Sequence, residues 1–410
     1  MIRDILHCDM NNFFASVECS LKPELKTKPV AVCGSVEERH GIVLAKNYKA
    51  KAFGVKTAEA VWQAKQKCPD LTVVEPHYNE YVKYANYARE IYYRYSEYVE
   101  PYGMDECWLD ISGTKEIFGS PREVADKIRE EIKKELGLTV SVGVSFNKIF
   151  AKLGSDMKKP DAVTEIPYGD FKNVIWHLPA SDMLGVGLST QKSLNKLGIH
   201  TIGELANFDV HILERYLGKC GIDIWKYANG FDYSDVKSKD FVSPVKSISH
   251  GTTTVRDMKN NNDVWITVLE LTQEIGHKLR EHKKSATTVC IYIRDCDLHI
   301  TQFQTKLDLP TQSPTVLSRT AFELFKKRYN WLKPVRSVTV RAAELISQDE
   351  PFQMNLFTDI KKTEKLERLD NCVEAIRNRF GKNSIVNGTL CKNIILPTEH
   401  IKITMPTGMV

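Results

Sequence analysis

Apolar residues along the chain fall into short solid blocks and longer stretches with helical spacing. Ile2-Arg3-Asp4-Ile5-Leu6-His7-Cys8-Asp9 reads as a short buried strand that ends in an acid. Asn11 or Asn12 is placed to cap a helix running through Phe13-Phe14-Ala15-Ser16-Val17-Glu18. Pro29-Val30-Ala31-Val32-Cys33 is a second strand, broken at Gly34, and the Tyr-rich stretch from Tyr78 to Tyr98 predicts a long helix. After Pro101 and Gly103, the segment Met104 to Ile111 is a turn feeding a strand. A charged amphipathic helix from Pro121 to Leu136 and a strand from Leu138 to Ser145 complete an alternating α/β unit.

From about Pro167 the texture changes to short helical pieces with glycine-bearing turns, ending near Gly230-Phe231-Asp232. Residues 234–243 are polar and charged and read as a linker. A separate α/β unit follows. Its first helix gathers Val264, Val268, Leu271, Ile275 and Leu279 on one face. In the next strand Val289, Ile291 and Ile293 alternate with Cys290, Tyr292 and Arg294. A helix near Thr315–Tyr329 and a strand from Val335 to Ala342 close that unit. The tail holds one more amphipathic helix, carrying Leu366, Leu369, Val373, Ile376 and Phe380 at spacings of three and four. No solenoid-type repeat is present.

At 410 residues the chain exceeds what one core usually holds, so two to four domains are expected. Composition is that of a folded soluble protein, with 42% hydrophobic and 27% charged residues. No apolar run reaches the roughly 18 residues that span a bilayer. The start Met1-Ile2-Arg3-Asp4 does not read as a secretory signal. Ten scattered cysteines without a CxxC pair argue against a zinc module or a disulfide framework and predict a reduced, cytoplasmic setting. Net charge is only +5, but Pro244–Leu345 carries sixteen Lys/Arg against ten Asp/Glu. That surplus suits a polyanionic partner or a solvated basic face, and charge alone does not separate the two.

Three carboxylates sit at strand ends or turns: Asp9 and the adjacent pair Asp105-Glu106. Nucleotidyl transfer uses two divalent cations roughly 3.5–4 Å apart, one activating a 3′-hydroxyl and one holding a triphosphate. Mg²⁺ keeps waters and phosphates as ligands, so a few carboxylates suffice on the protein side. Acids at strand ends are common, and the surrounding words decide the matter. Asp9-Met10-Asn11-Asn12-Phe13-Phe14-Ala15-Ser16-Val17-Glu18, Asn47-Tyr48 with Phe53-Gly54-Val55, and Met104-Asp105-Glu106-Cys107-Trp108-Leu109-Asp110 come in one order. Val142-Gly143-Val144-Ser145-Phe146-Asn147-Lys148 and Ala151-Lys152-Leu153-Gly154-Ser155-Asp156-Met157-Lys158-Lys159-Pro160 follow. Over roughly residues 1–360 the chain resembles a Y-family DNA polymerase, of the bacterial DNA polymerase IV type.

The resemblance implies an α+β multidomain fold, a right hand with palm (1–10 and 79–166), fingers (11–78) and helical thumb (167–233). A linker (234–243), an α/β little finger (244–345) and a tail (346–410) follow. It implies metal binding by Asp9, Asp105, Glu106 and the Met10 carbonyl, with two Mg²⁺ per site, and a steric gate at Phe14 that fills the space of a ribose 2′-hydroxyl. Phe13 joins Phe14 at the nucleotide in this resemblance, although core packing explains Phe13 equally. Tyr48, Lys51 and Lys159 match positions that hold the incoming triphosphate. Leu184-Gly185-Val186-Gly187-Leu188 resembles a helix–hairpin–helix, in which backbone N–H groups at Gly185, Val186 and Gly187 hold a DNA phosphate without reading sequence.

Pro351-Phe352-Gln353-Met354-Asn355-Leu356-Phe357 resembles the peptide that docks on the sliding clamp (β clamp), with Gln353, Met354, Leu356 and Phe357 as its contacts. Primer–template DNA, dNTPs and the clamp are the implied partners of a monomer acting away from membranes. The implied activity is low-fidelity translesion synthesis in DNA repair and damage tolerance, without a proofreading exonuclease. There are departures: Asn11 stands where the family often has a second Asp, Ala45 where many relatives carry Thr, and Lys51 where many carry Arg. Lys46 and Lys49 are extra cations that could compensate. The rivals are a dedicated relative such as a UV-mutagenesis polymerase or deoxycytidyl transferase, a nuclease, and a non-catalytic DNA- and clamp-binding adaptor. The three acids count against the adaptor.

Overall fold

The computed structural model describes residues 2–37, 39, 41–352 and 360–391. The described chain divides into two compact units, one holding residues up to 34 and 42–243, the other 35–41 and 244–391. In the first unit the order is β1 (Ile5–Met10), α1 (Phe13–Leu21), β2 (Val30–Cys33), β3 (Val43–Lys46), α2 (Tyr48–Ala52), α3 (Val61–Lys67), β4 (Thr72–Val74) and α4 (Tyr78–Tyr93). Then come β5 (Val99–Tyr102), β6 (Glu106–Asp110), α5 (Lys115–Phe118), α6 (Pro121–Leu136), β7 (Val140–Ser145), α7 (Lys148–Met157) and β8 (Val163–Ile166). Five short helices close the unit: α8 (Phe171–Ile175), α9 (Leu188–Lys196), α10 (Ile202–Asn207), α11 (Val210–Leu217) and α12 (Lys219–Ala228).

The main sheet has five strands in the order β5-β6-β1-β7-β8. β1 is its centre, antiparallel to β6 and to β7. All six residues of β1 are buried, which is why this strand reads as an apolar block despite its His and Asp. Its faces differ in chemistry. Leu6, Cys8 and Met10 join Cys107, Leu109, Val140, Val142 and Val144 in an apolar core with Tyr81, Ile91 and Tyr92 of α4 and Ile128 and Ile132 of α6. The alternate residues Ile5, His7 and Asp9, with Trp108, Ser141 and Gly143, lie on the opposite face.

That face receives α7 at unusually short range. A Cβ added at Gly143 would meet the Ala151 carbonyl oxygen at 1.9 Å and the Ser155 nitrogen at 2.4 Å. One at Gly154 would meet the Gly143 Cα at 3.2 Å. Two glycines therefore bring helix and sheet backbones together. α6 keeps the sequence-predicted bounds because it is fully signalled: Ser120 and Glu123 form a capping box, Pro121 opens the helix and Gly137 ends it at φ 68°. A smaller sheet, β3-β2-β4, is built from the early strands. Helices α8–α12 enclose Phe150, Ile175, Ile202, Leu205, Leu213 and Ile224.

The second unit contains β9 (Ser247–Met258), α13 (Asn261–Glu281), β10 (Lys284–Asp295), β11 (Ile300–Thr311), α14 (Pro314–Arg328), β12 (Val335–Ser347) and α15 (Ile360–Phe380). Its sheet runs β11-β10-β12-β9, every pairing antiparallel. The predicted stripe Val264, Val268, Leu271, Ile275 and Leu279 is fully buried against Val289, Ile291, Val338 and Val340. β12 continues past the predicted end at Ala342 because it pairs with β10 as far as Ser347 opposite Lys284. The tail helix is fastened to α13: Arg280 Nη2 donates to Glu374 at 2.8 Å and Arg377 Nη1 to Gln273 at 3.1 Å.

Two local expectations are corrected. The helix from Tyr78 ends at Tyr93, not Tyr98. There the Ser96 hydroxyl accepts from the Tyr98 N–H and donates to the Asp110 carbonyl, a local bond that competes with the helical ladder. Asn12 precedes α1 in the left-handed region at φ 48° and makes no side-chain cap. Asn11 makes none either. Its amide donates to Ser141 Oγ at 3.0 Å and its oxygen accepts from the Asp161 N–H at 2.9 Å.

A methyl group at Gly143 has only backbone to displace. Gly143→Ala should lower the protein's stability by about 3 kcal/mol or more. Gly169→Ala, where a Cβ meets nothing within 4 Å, should stay within about 0.5 kcal/mol of the parent. Denaturant unfolding of both variants checks this, and a Gly143→Ala protein as stable as the parent would contradict the close approach.

Candidate active site

The three sequence-predicted acids converge on one end of the main sheet. Asp9 lies directly opposite Glu106 in the β1–β6 register. Asp105 occupies the turn before β6, after Gly103 at φ 83°, and its carbonyl accepts from the Met10 N–H at 3.0 Å. The turn is thus tied to the end of β1. Asp9 is 5% exposed. Lys159 Nζ sits 2.7 Å from Asp9 Oδ2 and 2.9 Å from Asp156 Oδ1. Lys152 Nζ, on α7, is 2.5 Å from Glu106 Oε2.

Burial pushes the Asp105 carboxyl up to about 7, with the charges of Asp9 and Glu106 adding to the rise. Burial also lifts Asp9 to about 6, against the pull of Lys159. Glu106 goes the other way: burial opposes ionisation, yet His7 and Lys152 together hold it down to about 2. Burial keeps the His7 imidazole below its ordinary value even though Glu106 pulls it upward, so the ring is neutral near pH 7. His7 Nε2 is 3.1 Å from Glu106 Oε2, a short distance, but it has no well-aligned hydrogen-bond partner. Such bonds are often misaligned before substrate binds.

Hard oxygen donors, crowded until their protons are held, fit a divalent cation. Among the described residues no group of three His, Cys, Asp or Glu side chains is arranged to hold a metal ion as it stands, and Lys159 and Lys152 occupy oxygens of Asp9 and Glu106. The set is open, as suits a cation that completes its shell with water and phosphate. Asp9, Asp105 and Glu106 are the side chains that could hold it.

The residues expected on the nucleotide side lie in the same unit. Asn47 caps α2 by accepting from the Ala50 N–H at 2.9 Å. Lys51 Nζ stands 5.6 Å from the centre of the Tyr48 ring. Burial raises the Tyr48 hydroxyl pKa, with Lys159 and Asp9 close enough to contribute. Lys46 donates to Thr57 Oγ1 at 2.8 Å, and after burial the Lys51 charge is what lowers its pKa most. Lys49 turns away to the Thr27 carbonyl, also at 2.8 Å. Of the two extra cations, Lys46 shares the neighbourhood of Lys51.

Phe14 is half-buried and stacked on Tyr81 at 4.3 Å and 11°. The Tyr81 hydroxyl donates to the buried carboxylate of Glu18 at 2.5 Å. Phe13 lies inside the core. Gly185 has φ 92°, Val186 is buried, and Gly187 immediately precedes α9. Gln353, Met354, Leu356 and Phe357 lie outside the described residues.

Sequence reading missed His7, Lys152, Ser155, Glu18 and Tyr81. A signal existed for two of them. His7 is two residues from Asp9 in a strand and so shares its face. Lys152 and Asp156 are four apart on a helix, so they share one side.

Residues 8–156 match the impB/mucB/samB family, and residues 245–356 match the impB/mucB/samB family C-terminal domain. A protein of Acetivibrio thermocellus called DNA polymerase IV is 51% identical over 393 residues, covering 96% of this chain and 98% of that one. DNA polymerase IV 1 of Bacillus subtilis is 34% identical, covering 95% of this chain and 94% of its own. The chain belongs to the Y family of DNA polymerases. A solved Y-family DNA polymerase chimera superposes with a TM-score of 0.72 at 23% identity, over 84% of this chain and 99% of that one, and so shares the fold. No described helix is long and apolar enough to cross a membrane.

The raised acids set a pH dependence with a definite sign. Asp9 and Asp105 bind protons more tightly in the folded protein than in the unfolded chain, whose value is 3.8. Their contribution to stability is complete below that value and is lost as pH rises through about 6 and 7. Glu106, with its lowered pKa, acts only at more acidic pH. In chelator, the unfolding midpoint should therefore fall between about pH 5 and pH 7.5 more steeply than in Asp105→Asn. A divalent cation should raise the midpoint more at the higher pH, since it competes with protons for the same oxygens. Thermal unfolding scans across that range measure both effects.

Proposed function

We infer that the protein is a template-directed DNA polymerase that extends a primer 3′ end with dNTPs, at low fidelity, in translesion synthesis during DNA repair and damage tolerance. The observation that carries this reading is the gathering of Asp9, Asp105 and Glu106 at one sheet end beside Lys152 and Lys159. Its setting is a chain that aligns almost end to end with proteins called DNA polymerase IV. The two Mg²⁺ ions of such a site, when bound, activate the 3′-hydroxyl and neutralise the triphosphate. Asp9, Asp105, Glu106 and the Met10 carbonyl would hold them.

The remaining work falls to the protein. Lys159, salt-bridged to Asp9 in the structure, meets the same kind of charge in an incoming triphosphate. Tyr48 and Lys51 offer a hydroxyl and a second cation to that phosphate chain, and Lys46 adds a third. Phe14 is fixed by its stack on Tyr81, so its ring blocks a 2′-hydroxyl instead of yielding to it. Gly185 and Gly187 present backbone N–H groups to a DNA phosphate ahead of α9, whereas the Val186 N–H, expected to join them, is taken by the Met183 carbonyl at 3.1 Å. The basic surplus of the second unit suits the template–primer backbone. In domain terms, the five-stranded sheet is the palm, the small sheet belongs to the fingers, α8–α12 form the thumb, residues 244–345 are the little finger and α15 belongs to the tail. Gln353, Met354, Leu356 and Phe357 would dock on the sliding clamp, and the polymerase would act as a monomer in the cytoplasm.

Asp105→Ala should reduce primer extension by about 1,000-fold or more, as loss of several kcal/mol of transition-state stabilisation requires. DNA binding by the same variant, read by fluorescence anisotropy, should persist. Near-parental extension would overturn the assignment. Phe14→Ala should raise ribonucleotide over deoxynucleotide incorporation by about two orders of magnitude or more. Phe13→Ala should instead cost stability, because that ring is in the core. Single-nucleotide extension assays distinguish the two, and relaxed sugar selection in Phe13→Ala alone would move the gate by one residue.

A further inference from the structure

One buried polar group on the α7 face of β1 has no part in the transfer described above. The His7 ring has no exposure and packs edge-on against Trp108, with ring centres 5.2 Å apart. It lies opposite Gly143 in the β1–β7 register, at the point where α7 comes closest. There Ser155 Oγ reaches His7 Nδ1 at 2.8 Å. On the other side, Nε2 faces Glu106 Oε2 at 3.1 Å.

The proton positions follow from counting donors. Ser155 Oγ has one proton and two neighbours, His7 Nδ1 and the Lys152 carbonyl oxygen, both at 2.8 Å. If that proton goes to the carbonyl, Nδ1–H donates to Oγ and Nε2 turns a lone pair on a carboxylate oxygen. In a buried site that contact is repulsive. If it goes to Nδ1, then Nε2 carries the ring proton and donates to Glu106. The Lys152 carbonyl, being inside α7, still has its helical partner. A ring protonated on both nitrogens would likewise turn Nε2–H to Glu106, so only the first arrangement sets a lone pair against the carboxylate, and the 3.1 Å approach of Nε2 to Oε2 counts against it.

We propose that His7 is a positioning residue for Glu106: Ser155 fixes the tautomer, and the Nε2–H of His7 holds Oε2 so that Oε1 turns to the cation. Lys152 binds the same Oε2 atom, so both contacts act on one oxygen. The proposal rests on the reading of Glu106 as a metal ligand. Groups that orient a ligating carboxylate are worth roughly 10- to 100-fold in metal affinity.

The test uses the full chain with a chain-terminated primer–template and dNTP, and Mn²⁺ as the spectroscopic probe. Mn²⁺ affinity is read by electron paramagnetic resonance in the parent and in His7→Gln, His7→Phe, Ser155→Ala and Glu106→Gln. His7→Phe fills the space without a donor and should weaken Mn²⁺ binding about ten-fold or more. His7→Gln returns an amide N–H and should bind close to the parent, whereas Ser155→Ala should fall between them. Parental affinity in His7→Phe, or equal losses in His7→Gln and His7→Phe, would overturn the proposal. If His7→Phe does not fold, judged by its unfolding transition in chelator, Ser155→Ala decides, and parental affinity there sinks the idea. Unchanged affinity in Glu106→Gln would instead remove Glu106 from the ligand set, a separate failure.

Discussion

The close contact between α7 and the centre of the main sheet governs the site. Gly143 and Gly154 let two backbones approach to a distance that no side chain permits. From that contact α7 delivers Ser155 to His7 and Lys152 to Glu106, and the segment after it brings Lys159 to Asp9. The helix start is itself fixed, by Asn147 accepting from the Phe150 N–H at 2.8 Å. A helix standing one methyl group further away would leave the ammonium groups short of the carboxylates. Precision in the charged layer is thus inherited from packing in a layer with no charge at all.

The charges in turn explain why such packing is needed. Three carboxylates share a largely buried sheet end, and burial and mutual repulsion raise two of them toward neutrality. The third stays ionised because His7 and Lys152 outweigh its burial. The result is a graded set, one carboxylate ready at any physiological pH and two that release protons as positive charge arrives. On the proposed function, a site of this kind is destabilising for the protein alone and becomes favourable when cations and phosphates enter, the usual trade between stability and function.

The opposite face of the same sheet has a different role. Tyr81 and Tyr92 of α4 are fully buried there, and Tyr81 carries the stack that supports Phe14. Glu18, also fully buried, anchors the Tyr81 hydroxyl. On the proposed reading of Phe14 as the steric gate, core packing and sugar selection are continuous: the gate ring rests on a ring held by a buried carboxylate. In the second unit the same economy appears at α15, where Glu374 receives Arg280 and so attaches the tail helix to α13 by directional polar contacts.

By itself the sequence determined the elements whose signals are local. α6 carries its own cap box, opening proline and closing glycine, and the stripe of α13 has one periodicity from end to end. Asp9, Asp105 and Glu106 stood out because the sequence words around them are long, since acids at strand ends are common by themselves. What only the tertiary structure decided involves residues far apart in the chain. Asn11 spends its side chain on Ser141 and Asp161 instead of a helix cap, across separations that no local pattern encodes. Lys46 and Lys49, indistinguishable in the sequence, separate because one points to Thr57 near Lys51 and the other to the Thr27 carbonyl. His7 looked like one polar residue in an apolar strand until Gly143, 136 positions later, admitted the helix that brings Ser155 to one ring nitrogen, while Glu106 of β6 faces the other. Local propensity is written in neighbouring residues, whereas proton positions and charge pairs depend on which distant backbones are allowed to touch.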